Sequence, residues 1–293
     1  MNGLIIIMIL SLIFIAIILS RWRRESYREY ISDEEDEEDE LLWDIVYEKK
    51  SPLQKIEFLK RDEDNTFVLL LNDEIQVHSN EYKISHNLQC SVPIERYKPK
   101  KILILGGGDL IAASFCLKYD FVESVTLVEI DSEVVKFAKE NETLKKITQN
   151  VSKDKRLSIE IGDAIEYIEK TNEKFDFIIE DVEIDFTTQK SEKNRGKFLK
   201  NCLEKCKVYC GSIPDHSIEK DSKIIEHAKW NKDPKFIKLI SNSEKNQFLS
   251  DLKFEKKDLE LLKPLIESSN ISICSYDYGE IYGIEAYLLI TRN

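Results

Sequence analysis

The chain has 293 residues, which is enough for one or two domains of ordinary size. Hydrophobic residues make up 42% of it, which indicates a folded globular protein rather than a disordered one. The formal net charge of -12 argues against a nucleic-acid-binding protein, because such proteins normally present a basic surface.

The N-terminus predicts a membrane anchor. Residues 4–19 form an almost unbroken apolar run, and Arg21, Arg23 and Arg24 follow directly. The length is near the lower limit for crossing a bilayer. Because the basic cluster follows the apolar run and no small-residue cleavage site is evident, an uncleaved transmembrane helix over residues 1–24 is favoured over a signal peptide. The positive-inside rule then predicts a single-pass membrane protein with its catalytic domain in the cytoplasm.

An acidic linker is predicted over residues 25–40. Its segment 32–40 reads SDEEDEEDE, which is typical of a solvated, self-repelling spacer, with partner binding as the alternative. A small antiparallel β-domain is then predicted over residues 41–98. Its strands are expected at 55–60, 66–71 and 74–78.

The second domain, residues 99–293, has the pattern of a doubly wound α/β fold. Apolar runs that predict strands alternate with stretches that predict helices, which favours a Rossmann-like parallel sheet. The predicted strands are 102–105, 124–130, 157–161 and 175–180. Each is followed by glycines or a carboxylate, and ligands of such sheets bind at the carboxyl ends of the strands.

These strand ends carry the candidate site. Gly106, Gly107 and Gly108 follow the first strand and allow the backbone to approach a ligand closely. Glu129 follows about twenty residues later, where a carboxylate can accept hydrogen bonds from both ribose hydroxyls. Asp163 is a candidate for the amino group of adenine. Helix capping is the alternative for Glu129 and Asp163, and also for Asp131.

The six cysteines show no zinc-binding spacing. Cys202, Cys206 and Cys210 recur every four residues, so on a helix they would share one face. A metal or redox site is one interpretation. A buried apolar face is favoured because no further ligands are found, and no metal is predicted.

Seven short motifs follow one another in a fixed order. They are SPLQKI at 51–56, LNDEIQ at 71–76, ILGGGD at 104–109, EID at 129–131, GDA at 162–164, FDFIIED at 175–181, and YDYG at 276–279 with Gly283. These motifs resemble those of the spermidine synthase (polyamine aminopropyltransferase) family, and the resemblance runs from about residue 45 to the C-terminus.

The resemblance implies an enzyme that moves an aminopropyl group from decarboxylated S-adenosylmethionine to an amine such as putrescine. It also implies a homodimer as a candidate assembly. The implied donor contacts are Gln54, Gln76, Gly106, Gly107, Gly108 and Asp109, with Glu129 at the ribose and Asp163 at the adenine. Asp181 is the implied general base, and the implied contacts to the amine are Asp181 and Tyr276.

The choice of donor follows from charge. The carboxylate of Asp109 would repel the carboxylate of ordinary S-adenosylmethionine, whereas a decarboxylated donor offers it a cation. This argues for aminopropyl transfer over methyl transfer. The attacking amine must be neutral, so a carboxylate such as that of Asp181 can take its proton.

The sequence departs from the family pattern mainly on the amine-acceptor side. Ile84, Ser85 and His86 replace the family's Y-[QH]-E stretch, and Ile184 replaces an acidic residue. Leu110 replaces a glycine and Asp277 a proline. His86 either replaces the lost carboxylate as an acceptor contact or is an ordinary histidine. The alternative functions are therefore a catalytically inactive binding protein and an S-adenosylmethionine-dependent methyltransferase. The sequence leaves the acceptor amine, the membrane and the oligomeric state open.

Overall fold

A computed structural model describes residues 43–61, 63–182, 195–212, 237–240, 256–277 and 284–292. The predicted anchor at 1–24 and the acidic linker at 25–40 lie outside these ranges. Within them, no helix combines the length and the apolar character needed to cross a membrane.

The chain divides into two compact units, one ending at Asn80 and the other beginning at Glu81. The first unit is an antiparallel sheet in the sequential order β1-β2-β3-β4. Trp43 and Leu59 pack with Val68 and Leu70 on one face of it. The three predicted strands are confirmed as β2, β3 and β4, with β3 beginning one residue later than predicted, and β1 precedes them. The bounds are β1 Asp44–Lys50, β2 Lys55–Lys60, β3 Phe67–Leu71 and β4 Glu74–His78.

The predicted end of the β-domain at residue 98 differs from the observed division, because residues 82–97 are helical. Four of their buried positions recur at four-residue spacing, which is a helical period, and Pro93 lies in the first turn of α2. The elements are α1 Tyr82–His86, a π-helical turn Asn87–Ser91, and α2 Val92–Tyr97. The four positions at this spacing are Tyr82, His86, Cys90 and Ile94, and every residue from Leu88 to Ile94 is buried.

The second unit contains a mixed sheet with the strand order β10-β11-β12-β9-β8-β5-β6-β7. Its strands are β5 Lys101–Gly106, β6 Ser124–Glu129, β7 Leu157–Ile161, β8 Phe175–Asp181, β9 Cys206–Ser212, β10 Ile237–Ile240, β11 Ser269–Asp277 and β12 Ile284–Arg292. Its further helices are α3 Ile111–Leu117, α4 Ser132–Glu140, α5 Glu142–Ile147, a 3₁₀ turn Val151–Lys153, α6 Ala164–Lys170, α7 Arg195–Lys205 and α8 Lys256–Glu267.

The predicted parallel sheet is confirmed for β5 to β9, which pair in parallel. The central strands are continuous apolar runs because they are buried on both faces. The prediction of a wholly parallel sheet was incomplete, since β12, β11 and β10 extend the edge at β9 with antiparallel pairs.

The cysteines that recur every four residues do not share one helix face, so that prediction was wrong. Helix α7 ends at Lys205, which leaves Cys202 on the helix and puts Cys206 and Cys210 on β9. All three thiols are buried, as the apolar interpretation expects. Burial raises the pKa of Cys206 to about 12, so this thiol is unreactive at neutral pH.

The order of the strands creates a candidate ligand position at the carboxyl ends of two central strands. From β5 the chain runs to β6 and β7 on one side, then crosses over to β8 and β9 on the other. The carboxyl ends of β5 and β8 therefore flank a topological switch point, which is where open α/β sheets bind ligands. Gly106 and Asp181 are direct partners in the ladder at this point.

Candidate active site

The glycine loop after β5 lies directly against the end of β8. Gly106 and Gly107 have φ values of 89° and 72°, in the left-handed region that favours glycine. A Cβ on Gly106 would lie 2.1 Å from the carbonyl oxygen of Asp181, and one on Gly107 would lie 2.8 Å from Oδ2 of the Asp181 carboxylate. The N–H of Gly107 also donates to the Asp181 carbonyl at 3.2 Å. The predicted glycines are therefore needed for the close approach of this loop to Asp181.

Glu129, at the end of β6, is buried and held by two backbone amides. Gly108 N–H donates to Oε2 at 3.1 Å, and Asp131 N–H donates to Oε1 at 2.8 Å. Burial raises the pKa of Glu129, and these two hydrogen bonds oppose the rise. Helix capping belongs instead to Asp131, whose Oδ1 accepts from Glu133 N–H at 2.9 Å at the start of α4. Glu129 thus holds a fixed carboxylate beside the glycine loop.

Asp109 ends the glycine loop as a half-buried carboxylate. Its Oδ1 accepts a hydrogen bond from Ile111 N–H at 2.7 Å. Burial, and then the negative charge of Asp181, raise its pKa to about 6, while His86 opposes the rise. Leu110 is the next residue and has φ 69°, in the left-handed region. Leucine rarely adopts this conformation and glycine does so readily, which explains the glycine of the family pattern at this position.

The general-base candidate Asp181 is oriented by Gln89, a residue that sequence reasoning missed. Gln89 Nε2 donates to Oδ1 of Asp181 at 3.1 Å and to the backbone carbonyl of Glu180 at 3.0 Å. Gln89 is only 3% exposed and lies in the π-helical turn, a feature often found at functional sites. The one sequence signal was a polar residue between the apolar residues Leu88 and Cys90.

Asp163 has the capping role that was its alternative interpretation, and it remains exposed. Its Oδ1 accepts from Ile165 N–H at 2.7 Å and from Glu166 N–H at 3.4 Å at the start of α6. It also borders an open pocket of about 400 Å³ between β7 and α6. Ile161, whose side chain is 54% exposed, lines the same pocket. Ile161 offers an apolar contact to a flat heterocycle in this otherwise largely polar pocket, and Asp163 offers an acceptor to an amino group.

Three predicted site residues lie elsewhere in the fold. Gln54 precedes β2 and Gln76 lies within β4, so both belong to the first unit. Tyr276 lies on β11, where its backbone pairs with Glu285. Strands β12 and β9 separate β11 from β8 and Asp181. Ile184, which stands where the family has an acidic residue, lies outside the described residues.

Helix α1 carries Ile84, Ser85 and His86, the residues that replace the family's Y-[QH]-E stretch. Ser85 Oγ donates to the carbonyl of Tyr82 at 3.2 Å, within the helix. His86 is buried at 7% exposure, so it is not a surface histidine.

The strand ends together form an anionic site. The carboxylates of Asp109, Glu129 and Asp181 all border the glycine loop: Asp109 lies in it, Glu129 accepts from Gly108, and Asp181 faces Gly107. Such a site attracts cations and ribose hydroxyls. In the described part of the chain, no cluster of His, Cys, Asp and Glu has the arrangement of a metal site.

Comparison with known proteins identifies relatives and a common fold. The chain is 38% identical over 141 residues to a polyamine aminopropyltransferase of Ruegeria, covering 47% of this chain and 48% of the relative. It is 35% identical over 142 residues to polyamine aminopropyltransferase 2 of Aquifex aeolicus, covering 47% and 28%. The matched part thus spans about half, or less, of the length of these curated relatives.

Solved structures show the same fold. A crystal structure of spermidine synthase in complex with the transition state analogue AdoDATO aligns with a TM-score of 0.58 at 21% identity, covering 85% of this chain and 74% of that one. The spermidine synthase of Thermotoga maritima aligns with a TM-score of 0.56 at 21% identity, covering 85% and 72%. Residues 78–234, more than half of the chain, match the Spermine/spermidine synthase domain. The chain therefore belongs to the spermine/spermidine synthase family.

Proposed function

We propose that the protein transfers an aminopropyl group from decarboxylated S-adenosylmethionine to an amine such as putrescine. The observation that carries this proposal is the position of Asp109, Glu129 and Asp181 around one glycine loop at the switch point of the sheet. The relatives named polyamine aminopropyltransferases support it.

In this proposal the donor lies along the carboxyl ends of β5, β6 and β7. Glu129 accepts hydrogen bonds from the ribose hydroxyls, and Asp163 accepts from the adenine amino group. Asp109 supplies a negative charge for the primary ammonium of the aminopropyl group, a position where the carboxylate of ordinary S-adenosylmethionine would be repelled. Gln54 and Gln76 are proposed donor contacts from the first unit, on the family resemblance.

The reaction is a direct displacement. The neutral amine nitrogen forms a bond to the aminopropyl carbon next to the sulfonium, and the carbon–sulfur bond breaks with its electron pair left on sulfur. The product nucleoside is neutral methylthioadenosine, and Asp181 takes the proton that the nitrogen loses. Gln89 holds the carboxylate of Asp181 in one orientation for this transfer. Tyr276 is proposed as a contact to the acceptor amine.

The test is an incubation of the full chain with decarboxylated S-adenosylmethionine and a panel of di- and polyamines, with methylthioadenosine measured by mass spectrometry. We expect amine-dependent release, and the best amine identifies the acceptor. Asp181→Asn should reduce release at least about hundredfold while donor binding persists. Donor binding with no release from the wild type would instead support an inactive binding protein. Methyl transfer from ordinary S-adenosylmethionine would support the methyltransferase alternative.

We also propose that residues 1–24 anchor the protein as a single-pass helix with the catalytic domain in the cytoplasm. The apolar run and the arginines that follow it support this. A lysine at mid-span costs about 3 kcal/mol of insertion free energy. Ile13→Lys should therefore release the protein from carbonate-washed membranes, whereas the control Ile13→Val should leave it bound.

A homodimer is proposed from the family resemblance. Analytical ultracentrifugation of the detergent-solubilised chain tests it. A single species with the mass of one chain would contradict this proposal.

A further inference from the structure

His78, the last residue of β4, accepts a hydrogen bond through its imidazole ring. The backbone N–H of Asn80 donates to Nδ1 at 3.2 Å. Because an N–H can only donate, Nδ1 carries the lone pair, and the neutral ring has its proton on Nε2. A ring that takes up a second proton at Nδ1 can no longer accept this bond. The contact to Asn80 therefore exists only while His78 is neutral.

This hydrogen bond lies at the end of the first unit. Asn80 is the last residue of that unit, and the chain enters the second unit at Glu81. Ser79 is tied to β3, because its N–H donates to the carbonyl of Phe67 at 3.0 Å and its Oγ accepts from Phe67 N–H at 3.2 Å. Among the described residues, the bond to the His78 ring is the last one that ties the backbone to β4 before the second unit begins.

The surroundings of the ring disfavour its protonated form. His78 is buried, and the ring of Trp43 packs against it edge-on at 6.5 Å between centroids. The charged side chains that act on the ring are those of Arg61 and Asp64, between β2 and β3. Burial, and then the positive charge of Arg61, lower the pKa of His78, while Asp64 opposes the decrease. The carboxylate of Asp64 is itself paired with Arg61, whose Nε donates to Oδ1 at 3.0 Å.

We propose that His78 is a pH-sensitive switch that holds the backbone at the end of the first unit at neutral pH and releases it in acid. Protonation at Nδ1 turns two donors toward each other and places a buried cation near the guanidinium of Arg61. The bond to Asn80 then breaks, and the backbone at Ser79 and Asn80 gains conformational freedom. This inference is independent of the proposed chemistry, because neither His78 nor Asn80 belongs to the candidate active site.

The stability of the fold should change with the same proton. A lowered pKa means that the folded chain binds this proton less readily than the unfolded chain does. Above about pH 6.5 the ring is neutral in both states, so it contributes no pH dependence. As the pH falls below that value, the unfolded chain is protonated first, and the free energy of unfolding decreases.

Two substitutions separate the hydrogen bond from the titration. In His78→Asn, the amide oxygen takes the place of Nδ1, so it can accept from Asn80 N–H and cannot be protonated. In His78→Leu, no acceptor is present at any pH, while an apolar side chain still fills the space beside Trp43. Thermal melting at pH 7.5 checks that both variants fold.

The experiment is residue-resolved amide hydrogen exchange of the full chain in detergent at pH 7.5 and pH 5, corrected for the intrinsic exchange rate at each pH. We expect the protection of the Asn80 amide in the wild type to fall about fivefold or more in acid, which corresponds to one hydrogen bond. In His78→Asn it should stay within about twofold, and in His78→Leu it should be low at both pH values. The Asn72 amide, which donates to the Lys55 carbonyl at 2.9 Å, is the control for general loosening of the unit.

Nitrogen-15 NMR of labelled histidine follows the ring itself. The chain has four histidines, and His78→Asn identifies the signals of His78 by their loss. We expect the tautomer with the proton on Nε2 at pH 7.5 and a protonated ring at pH 5. The other tautomer at pH 7.5, or a ring that is still neutral at pH 5, would overturn the inference. Unchanged protection of Asn80 beside a protonated ring, or an equal loss of protection in His78→Asn, would overturn it as well.

Discussion

Gln89 donates from Nε2 to Oδ1 of Asp181 at 3.1 Å, and the same nitrogen donates to the carbonyl of Glu180 at 3.0 Å. Both amide hydrogens of a buried side chain are thus directed at the end of β8. The backbone contact anchors the amide, and the side-chain contact orients the carboxylate of the proposed base.

Replacing Gln89 with Met keeps the approximate length of the side chain and removes both donors. We expect kcat to fall about tenfold to hundredfold, because a misoriented base loses part of its contribution to proton transfer. The KM for the donor should change little. Steady-state kinetics with methylthioadenosine release as the readout measure this. A rise in KM at constant kcat would show that Gln89 acts in binding rather than in orienting Asp181.

The glycine at position 107 should be irreplaceable, in contrast to Gly162. Gly107→Ala strains a residue with φ 72° and places a carbon 2.8 Å from Oδ2 of Asp181. We expect the free energy of unfolding to fall by about 2 kcal/mol and turnover to be largely lost. Gly162→Ala is the matched control for stability, since within the described residues nothing lies within 4 Å of the added carbon. Denaturant unfolding measures both variants, and equal stabilities would contradict the steric argument.

Binding of the donor should weaken in mild acid. The pKa of Asp109 is about 6 because burial and the charge of Asp181 disfavour its ionised form. A carboxyl with a raised pKa is ionised above that value and neutral below it, so the charge that holds the ammonium is lost as the pH falls through 6. Affinity for decarboxylated S-adenosylmethionine should drop about tenfold between pH 7.5 and pH 5.

Methylthioadenosine is the control for this pH effect. It lacks the ammonium, so protonation of Asp109 should not weaken its binding, and any effect of the raised pKa of Glu129 appears with both nucleosides. The ratio of the two affinities therefore isolates Asp109. In Asp109→Asn this ratio should be independent of pH. A ratio that still changes between pH 5 and pH 7.5 in that variant would assign the titration to another group.

Asp163 combines a capping role with a proposed contact to adenine, and two substitutions separate them. Ser is as good a cap as Asp, so Asp163→Ser should keep the free energy of unfolding, whereas Asp163→Ala should lose about 1 kcal/mol. Both variants should bind the nucleoside more weakly, because both lose the carboxylate. Thermal melting and calorimetric titration provide the two readouts. Unchanged affinity in Asp163→Ser would reduce Asp163 to a helix cap.

The strands around the site could be predicted because burial on both faces leaves a continuous apolar run. The residues between Lys101 and Gly106 show this directly, and so do those between Phe175 and Asp181. The carboxylates after those strands could be predicted for the same reason, since the end of an apolar run is visible in a sequence.

The helical segment at 82–97 could not be predicted in the same way. Its buried positions include a tyrosine, a histidine and a cysteine, so the four-residue period does not show as an apolar pattern. Gln89 reaches Asp181 from 92 positions earlier in the chain, and tertiary folding alone creates that hydrogen bond. The left-handed backbone conformation of Leu110 could not be predicted either, because leucine rarely adopts it.

Leu110 has a consequence for the preorganisation of the loop. A glycine there would leave the unfolded chain more conformational freedom, whereas leucine restricts it, and the leucine side chain is fully packed at 1% exposure. The loop should therefore be ordered when the protein folds, and little conformational entropy should remain to be lost when a nucleoside binds. Slow amide hydrogen exchange at Gly107 and Gly108 before any ligand is added would be the signature of such a loop.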